Sequence, residues 1–171
     1  MSRRLRWLGG CAALALLSGC AGYRLGPTNG AVAGAKSIEV SPFSNKTLEP
    51  RLTDPVTTEI RRSLQHDGTY RLATGSDADI VMTGVMTKYE RREISFLPTD
   101  VATARDYRVI LTAQVTATER STGKVLLNKT VTGNTMIRVG TDLTSTERQA
   151  LPLLAQDLAK NVTESLVDSN W

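Results

Sequence analysis

The chain is poor in the side chains that carry most enzyme chemistry. It has two cysteines and one histidine in 171 residues, and only 5% of its residues are aromatic. Cys11 lies inside an apolar N-terminal run and Cys20 at the end of it. No disulfide framework, thiol nucleophile or cysteine metal site is therefore expected. His66 has no nucleophile or second base at a recognisable spacing. It falls in the last turn of a predicted helix, where a cation favours the helix dipole. Asp77 and Asp79 alternate like the start of a calcium loop, but the ligand series stops after two, which fits a turn. A phosphate loop, zinc spacing and nucleotide fingerprint are all missing. The residues point to no cofactor, no metal and no enzyme.

Charge of one sign is also scarce. The formal net charge is +4, from 21 basic and 17 acidic residues. Arg3, Arg4 and Arg6 precede residue 20 and no acid does, so the rest of the chain holds 18 bases against 17 acids. Nucleic-acid binding loses its compositional argument at that balance. The longest apolar run, Leu8 to Leu17, has signal-peptide length and is too short to span a bilayer comfortably.

What is present begins at Leu17-Ser18-Gly19-Cys20-Ala21. A basic segment, an apolar run, two small residues and a cysteine form a bacterial lipoprotein processing site. An A-x-A site competing with it is absent. Cleavage is expected between Gly19 and Cys20, with Cys20 as the lipidated first residue of the mature protein. Two or three acyl chains hold firmly where a single one binds marginally. Asp after the cysteine retains such proteins in the inner membrane of enterobacteria. Here the residue is Ala21, so the periplasmic face of the outer membrane is expected. The organisation read from this is a signal over 1–19, a lipidated Gly/Ala-rich tether over 20–36 and a single α+β domain over 37–171.

Within the domain, Ile38 to Phe43 alternates as a strand and meets Pro42, which places its end at an edge. Asp54-Pro55 predicts a helix start, and Val56, Ile60 and Leu64 make its apolar stripe up to Gly68. Thr69 to Ala73 is a short strand or a lead into one. Ala78 to about Ile94 predicts a long strand with no purely apolar face, which a bulge at Gly84 or cover on both faces would reconcile. Phe96 to Thr103 reads as a loop. Tyr107 to Thr118 is the clearest strand, with Tyr107, Val109, Leu111, Ala113, Val115 and Ala117 on one face. Lys124 to Thr132 returns as a hairpin partner. Thr144 to Glu147 matches a capping box, although Pro152 allows a start one turn later. Leu151, Leu154, Leu158, Val162 and Leu166 form the stripe of that last helix. The order β-α-β-β-β-α predicts a four-stranded, mainly antiparallel sheet with two helices on one face.

Two surface features carry candidate function. Lys88, Arg91, Arg92 and Arg108 form a basic group on the sheet, and guanidinium suits phosphate-bearing lipid. The competing reading is a solvated strand surface. Phe96-Leu97-Pro98 is an apolar segment that either docks a partner or folds over the core.

The chain also resembles a known family. The matching pieces are Cys20 with Gly22-Tyr23-Arg24-Leu25; Ile38 to Thr47; Pro50-Arg51-Leu52-Thr53; Asp67 to Leu72; Ala78-Asp79 before a strand reaching Gly84; and Thr122-Gly123-Lys124. In their order and spacing they resemble the LptE family of lipopolysaccharide-assembly lipoproteins. The resemblance implies two helices on a four-stranded sheet and a plug inside the outer-membrane barrel LptD. It further implies assistance to barrel assembly, help in the last transfer of lipopolysaccharide and binding of lipopolysaccharide through basic residues. Those family residues lie in no motif that aligns here, so Lys88, Arg91, Arg92 and Arg108 stand on the residue reading alone. A different outer-membrane lipoprotein adaptor, a peptidoglycan-synthase activator or a secretion-ring component, is the alternative.

Overall fold

The computed structural model describes residues 33–97, 100–138 and 142–169. Gly19, Cys20 and Pro98 lie outside them. The elements are β1 (Ser37–Val40), β2 (Ser44–Asn45), a 3-10 turn (Pro50–Leu52), α1 (Thr53–Asp67), β3 (Arg71–Leu72), β4 (Ile80–Leu97), β5 (Asp100–Glu119), β6 (Val125–Arg138) and α2 (Leu143–Asp168). They form the expected α+β fold. Its single sheet runs β3-β1-β4-β5-β6, with β2 also paired to β4. The two helices and the four main strands are present; Thr69 to Ala73 holds the short strand β3, and with β2 the sheet has six strands where four were expected. Pairing is antiparallel along β4-β5-β6 and parallel where β1, β2 and β3 join.

α1 begins one residue before Asp54, continuing from the 3-10 turn, so Asp54 lies in its first turn and is not its cap. It ends as expected: Gly68 adopts φ 75° and its N–H bonds the Leu64 carbonyl at 3.2 Å. A left-handed residue there favours glycine. α2 differs from the capping-box reading. Its cap is Asp142, whose carboxylate accepts the Thr144 and Ser145 N–H groups, and Pro152 sits inside the helix. Glu147 does not reach back to the cap, because its carboxylate is held by Tyr89 and Arg91.

The core lies between the helices and one face of the sheet. Ile80, Met82 and Met86 of β4 meet Val109 to Ala117 of β5, Val56, Ile60 and Leu64 of α1, and the Leu151 to Leu166 stripe of α2. Two glycines permit close approach. A Cβ on Gly84 would stand 2.0 Å from the Phe43 ring, and one on Gly133 would stand 2.5 Å from the Leu158 backbone nitrogen. Gly84 is thus in register opposite Val115, and its role is to receive Phe43. The expected bulge falls at Thr87, between the pairs Met86↔Ala113 and Lys88↔Thr112. One extra residue reverses which side chains face the helices. Met86 faces them before the bulge, and Tyr89, opposite Leu111, does so after it.

The edges of the sheet are managed. Asp157 of α2 accepts the Asn134 N–H of β6 at 2.7 Å, and Asn161 Nδ2 donates to the Thr132 carbonyl at 2.8 Å. The helix thereby satisfies backbone groups that would otherwise invite another strand. Pro42 lies in the break between β1 and β2, and β1 itself is an interior strand flanked by β3 and β4.

Candidate partner-binding surface

The long hairpin β4–β5 positions Lys88, Arg91, Arg92, Arg108 and Phe96. Its outer half begins at the Thr87 bulge. Strand alternation and register place Lys88, Glu90 and Arg92 on the face away from the helices, opposite Thr112, Ile110 and Arg108. Arg91, opposite the buried Val109, faces the helix side. The basic group read from the sequence is therefore divided. Lys88, Arg92 and Arg108 share the open face, and Arg91 belongs to the other.

Arg91 is engaged where it lies. Its guanidinium is 3.4 Å from Glu147, which also accepts the Tyr89 hydroxyl at 2.5 Å. Burial, then the bond to Glu147, pushes the Tyr89 phenol well above its usual range. These residues with Leu48 and Glu49 line a cleft of about 400 Å³. Arg91, Glu93, Tyr107 and Leu143 line a second, of about 670 Å³. Both signs of charge occur in each, so neither is an anion site.

The open face is different. Arg92 and Arg108 are directly opposed, and Arg108 is in turn opposite the exposed Met136 of β6. Like charges in that position repel. Glu90 relieves part of this, pairing with Lys88 at 2.8 Å and with Arg92 at 3.5 Å. The bond from Lys88, with the charges of Lys88 and Arg92, holds the Glu90 carboxyl below its usual range. Arg108 forms no ion pair among the described residues. This leaves an exposed row of two cations beside a thioether, a surface able to accept a phosphate and an adjoining apolar chain. Sequence reasoning missed Glu90 and Met136. Glu90 was legible, since alternation puts it between Lys88 and Arg92. Met136 depended on the β5–β6 register.

The apolar segment read as a loop is mostly strand. β4 continues to Leu97, and Phe96 pairs with Ala104. Long antiparallel pairing, with irregularities after Glu93, Ser95 and Phe96, overrides the local loop signal. Phe96 does not fold over the core: it is 45% exposed, and Ile94 is 44% exposed. The end of the hairpin is braced by Asp106, which accepts from Ser95 and, at 2.9 Å, from Arg138. These bonds, Ser95 first, depress the Asp106 carboxyl.

The opposite end of the domain is tied by a second network. Lys36 meets Glu119 at 2.6 Å, Asp79 accepts the Ser37 N–H and hydroxyl at 2.7 Å, and Arg120 meets Glu39 at 2.8 Å. Gly34 N–H bonds the Thr69 carbonyl at 3.1 Å. Residues 34–36, the end of the expected tether, are thus fastened to the domain. His66 lines a shallow groove of about 590 Å³ between α1, α2 and β6. Among the described residues there is no cluster of metal-ligating side chains, and no helix is long and apolar enough to cross a membrane.

The sheet with two helices on one face defines a class of small α+β domains. Similar solved structures include a protein from Xanthomonas campestris, with TM-score 0.59 and 13% identity over 86% of this chain and 92% of that one. A hypothetical protein from Chlamydia trachomatis has TM-score 0.57 and 10% identity over 79% and 98%. A minor lipoprotein from Acinetobacter baumannii has TM-score 0.52 and 16% identity over 79% and 94%. At these identities the likeness is one of fold. No curated protein matches the sequence. The chain matches the model of the LptE lipopolysaccharide-assembly family over residues 35–167, and it belongs to that family. A role in lipopolysaccharide assembly follows from membership.

Proposed function

We propose that this protein is a non-catalytic outer-membrane lipoprotein, anchored through Cys20, that serves as plug and assembly partner of an LptD-like β-barrel and binds lipopolysaccharide. The family match over residues 35–167 carries this reading. Physical features support it. The face of the sheet away from the helices carries Thr83, Thr112, Gln114, Thr116 and Thr130 beside Val81, Val85 and Ile110, a mainly polar surface suited to a polar barrel lumen. A lipid tether beside the barrel raises the effective concentration for docking. Arg92 and Arg108, with Lys88 adjacent, are the residues we assign to lipopolysaccharide phosphate. Arg91 lies on the other face, where it pairs with Glu147.

Purification of the lipidated chain in mild detergent tests the proposal. A large outer-membrane β-barrel in stoichiometric amount is expected. Recovery of a peptidoglycan synthase or a ring of secretion subunits in its place would replace the proposal with the adaptor reading. Depletion of the protein is expected to trap lipopolysaccharide inside the cell, and unchanged surface lipopolysaccharide would contradict it.

A further inference from the structure

The methionines of the domain divide by exposure. Met82 and Met86 are fully buried in the core, whereas Met136 is 67% exposed. A thioether shielded by packing is closed to oxidants, and one in solvent is open to them. Met136 lies on β6 directly opposite Arg108, which is itself opposite Arg92. Directly opposed side chains on one face stand about 5 Å apart at Cβ. The cations around Arg108 on this face are engaged by acids: Arg138 by Asp106 at 2.9 Å, Arg92 by Glu90 at 3.5 Å and Lys88 by Glu90 at 2.8 Å. Arg108 has no such pair among the described residues. A guanidinium without an acid therefore stands beside an exposed sulfur.

We propose that Met136 is a reversible oxidation site that switches the neighbouring cations, an inference that rests on the reading above that Arg92 and Arg108 take lipopolysaccharide phosphate. The oxidant is a peroxide or a hypohalous acid. A sulfur lone pair attacks its oxygen; the S–O bond forms as the O–O or O–halogen bond breaks. Hydroxide or halide leaves, and the transferred oxygen gives up its proton, to the hydroxide as water or, beside a halide, to solvent. Sulfur loses two electrons and the oxidant gains them. The product is a sulfoxide, polar and a strong acceptor, in place of a soft apolar thioether. Its oxygen accepts a hydrogen bond from the Arg108 guanidinium across the strand pair, a charge-assisted bond with no competing acid. Fewer Arg108 donors are then free for phosphate, and an adjoining acyl chain loses its apolar neighbour. The expected place of the protein lies outside the cytoplasm, away from the thiol pools that keep that compartment reduced.

The full-length, lipidated chain in mild detergent, treated with limiting hydrogen peroxide and mapped by mass spectrometry over time, tests this. Met136 is expected to gain an oxygen on the order of tenfold faster than Met82 and Met86, and unfolding in urea is expected to abolish the difference. The oxidised chain is expected to bind lipopolysaccharide about fivefold more weakly than the untreated chain. Methionine sulfoxide reductase with a dithiol, which removes the oxygen as water and becomes a disulfide, is expected to restore binding. Met136→Leu, compared with its own untreated sample, is expected to show no change with peroxide, and Arg108→Gln, itself a weaker binder, to lose less than the wild type. Equal oxidation rates at the three methionines, full binding by a chain oxidised at Met136, or an equal loss in Met136→Leu would each overturn the proposal. If the untreated chain binds no lipopolysaccharide, the phosphate reading has failed, while the oxidation rates still decide whether Met136 is the reactive site, so the two failures are distinguishable.

Discussion

The two halves of the β4–β5 hairpin are the same strands put to different uses. From Ile80 to Met86, β4 turns Ile80, Met82 and Met86 toward the helices, each fully buried, with Gly84 bare beneath Phe43. Past the bulge at Thr87, the corresponding positions are Tyr89, Arg91 and Glu93. The inner half is covered by helix and packed to atomic contact. The outer half is held by hydrogen bonds and ion pairs, and it exposes charge and apolar side chains. One inserted residue separates the half that makes the domain stable from the half that offers a surface.

Substitutions sharpen the contrast. Gly84→Val is expected to have the largest effect, because its side chain would occupy the Phe43 ring. Overpacking of this kind costs about 1–3 kcal/mol and more when backbone blocks relief. Urea unfolding checks it, with the exposed Thr83→Val expected within ~0.5 kcal/mol of wild type. In the outer half the largest effect is on binding. Arg92→Asp with Arg108→Asp is expected to weaken lipopolysaccharide binding on the order of tenfold, or about 1.4 kcal/mol. Arg91→Asp should weaken it less, and an equal effect would show that the division of the cluster between two faces has no bearing on binding. Tyr89→Phe removes a hydrogen bond to a carboxylate at a half-buried site and should cost about 1 kcal/mol in unfolding free energy.

The smallest expected effect is on the acid limb of stability. Asp79, Glu90, Asp106 and Glu119 all have carboxyls held below their usual range, Asp79 by the Ser37 N–H and hydroxyl and Glu119 chiefly by Lys36. Folding therefore binds fewer protons than the unfolded chain does near pH 4. The stability these groups contribute is fully present above about pH 4–5 and is lost as pH falls through their lowered values. Asp79→Asn should flatten that decline between about pH 5 and 2, measured as melting temperature against pH. An undiminished slope would show that the network at Ser37 does not contribute. Lys36, raised by its bond to Glu119, acts at the other limb: its contribution holds below about pH 10 and is lost above its raised value.

Much of the inner half was legible in the sequence. The Tyr107 to Ala117 alternation, the Val56-Ile60-Leu64 stripe and the left-handed Gly68 are local signals, and local chemistry decides them. The outer half was less so. Phe96 read as loop because strand pairing with Ala104 is a long-range fact that no local propensity contains. A bulge at Gly84 or cover on both faces were the two ways to reconcile a strand with no purely apolar face, and the sequence does not show the Phe43 ring that needs the space at Gly84. Lys88, Arg91 and Arg92 read as one cluster because they are close in sequence; alternation alone, with or without the extra residue at Thr87, sets Arg91 on the face opposite the other two. Thr144 to Glu147 matches a capping box by spacing alone, and the sequence does not show that Glu147 is held by Tyr89, which leaves the cap to Asp142.

Amide hydrogen exchange of the lipidated chain, alone and in its detergent-purified complex with the barrel, tests the central claim most directly. The account expects added protection along residues 88–97 and 104–110, with 80–86 already slow and little changed. Protection confined to the helices α1 and α2, with the outer hairpin exchanging as fast in the complex as alone, would contradict it.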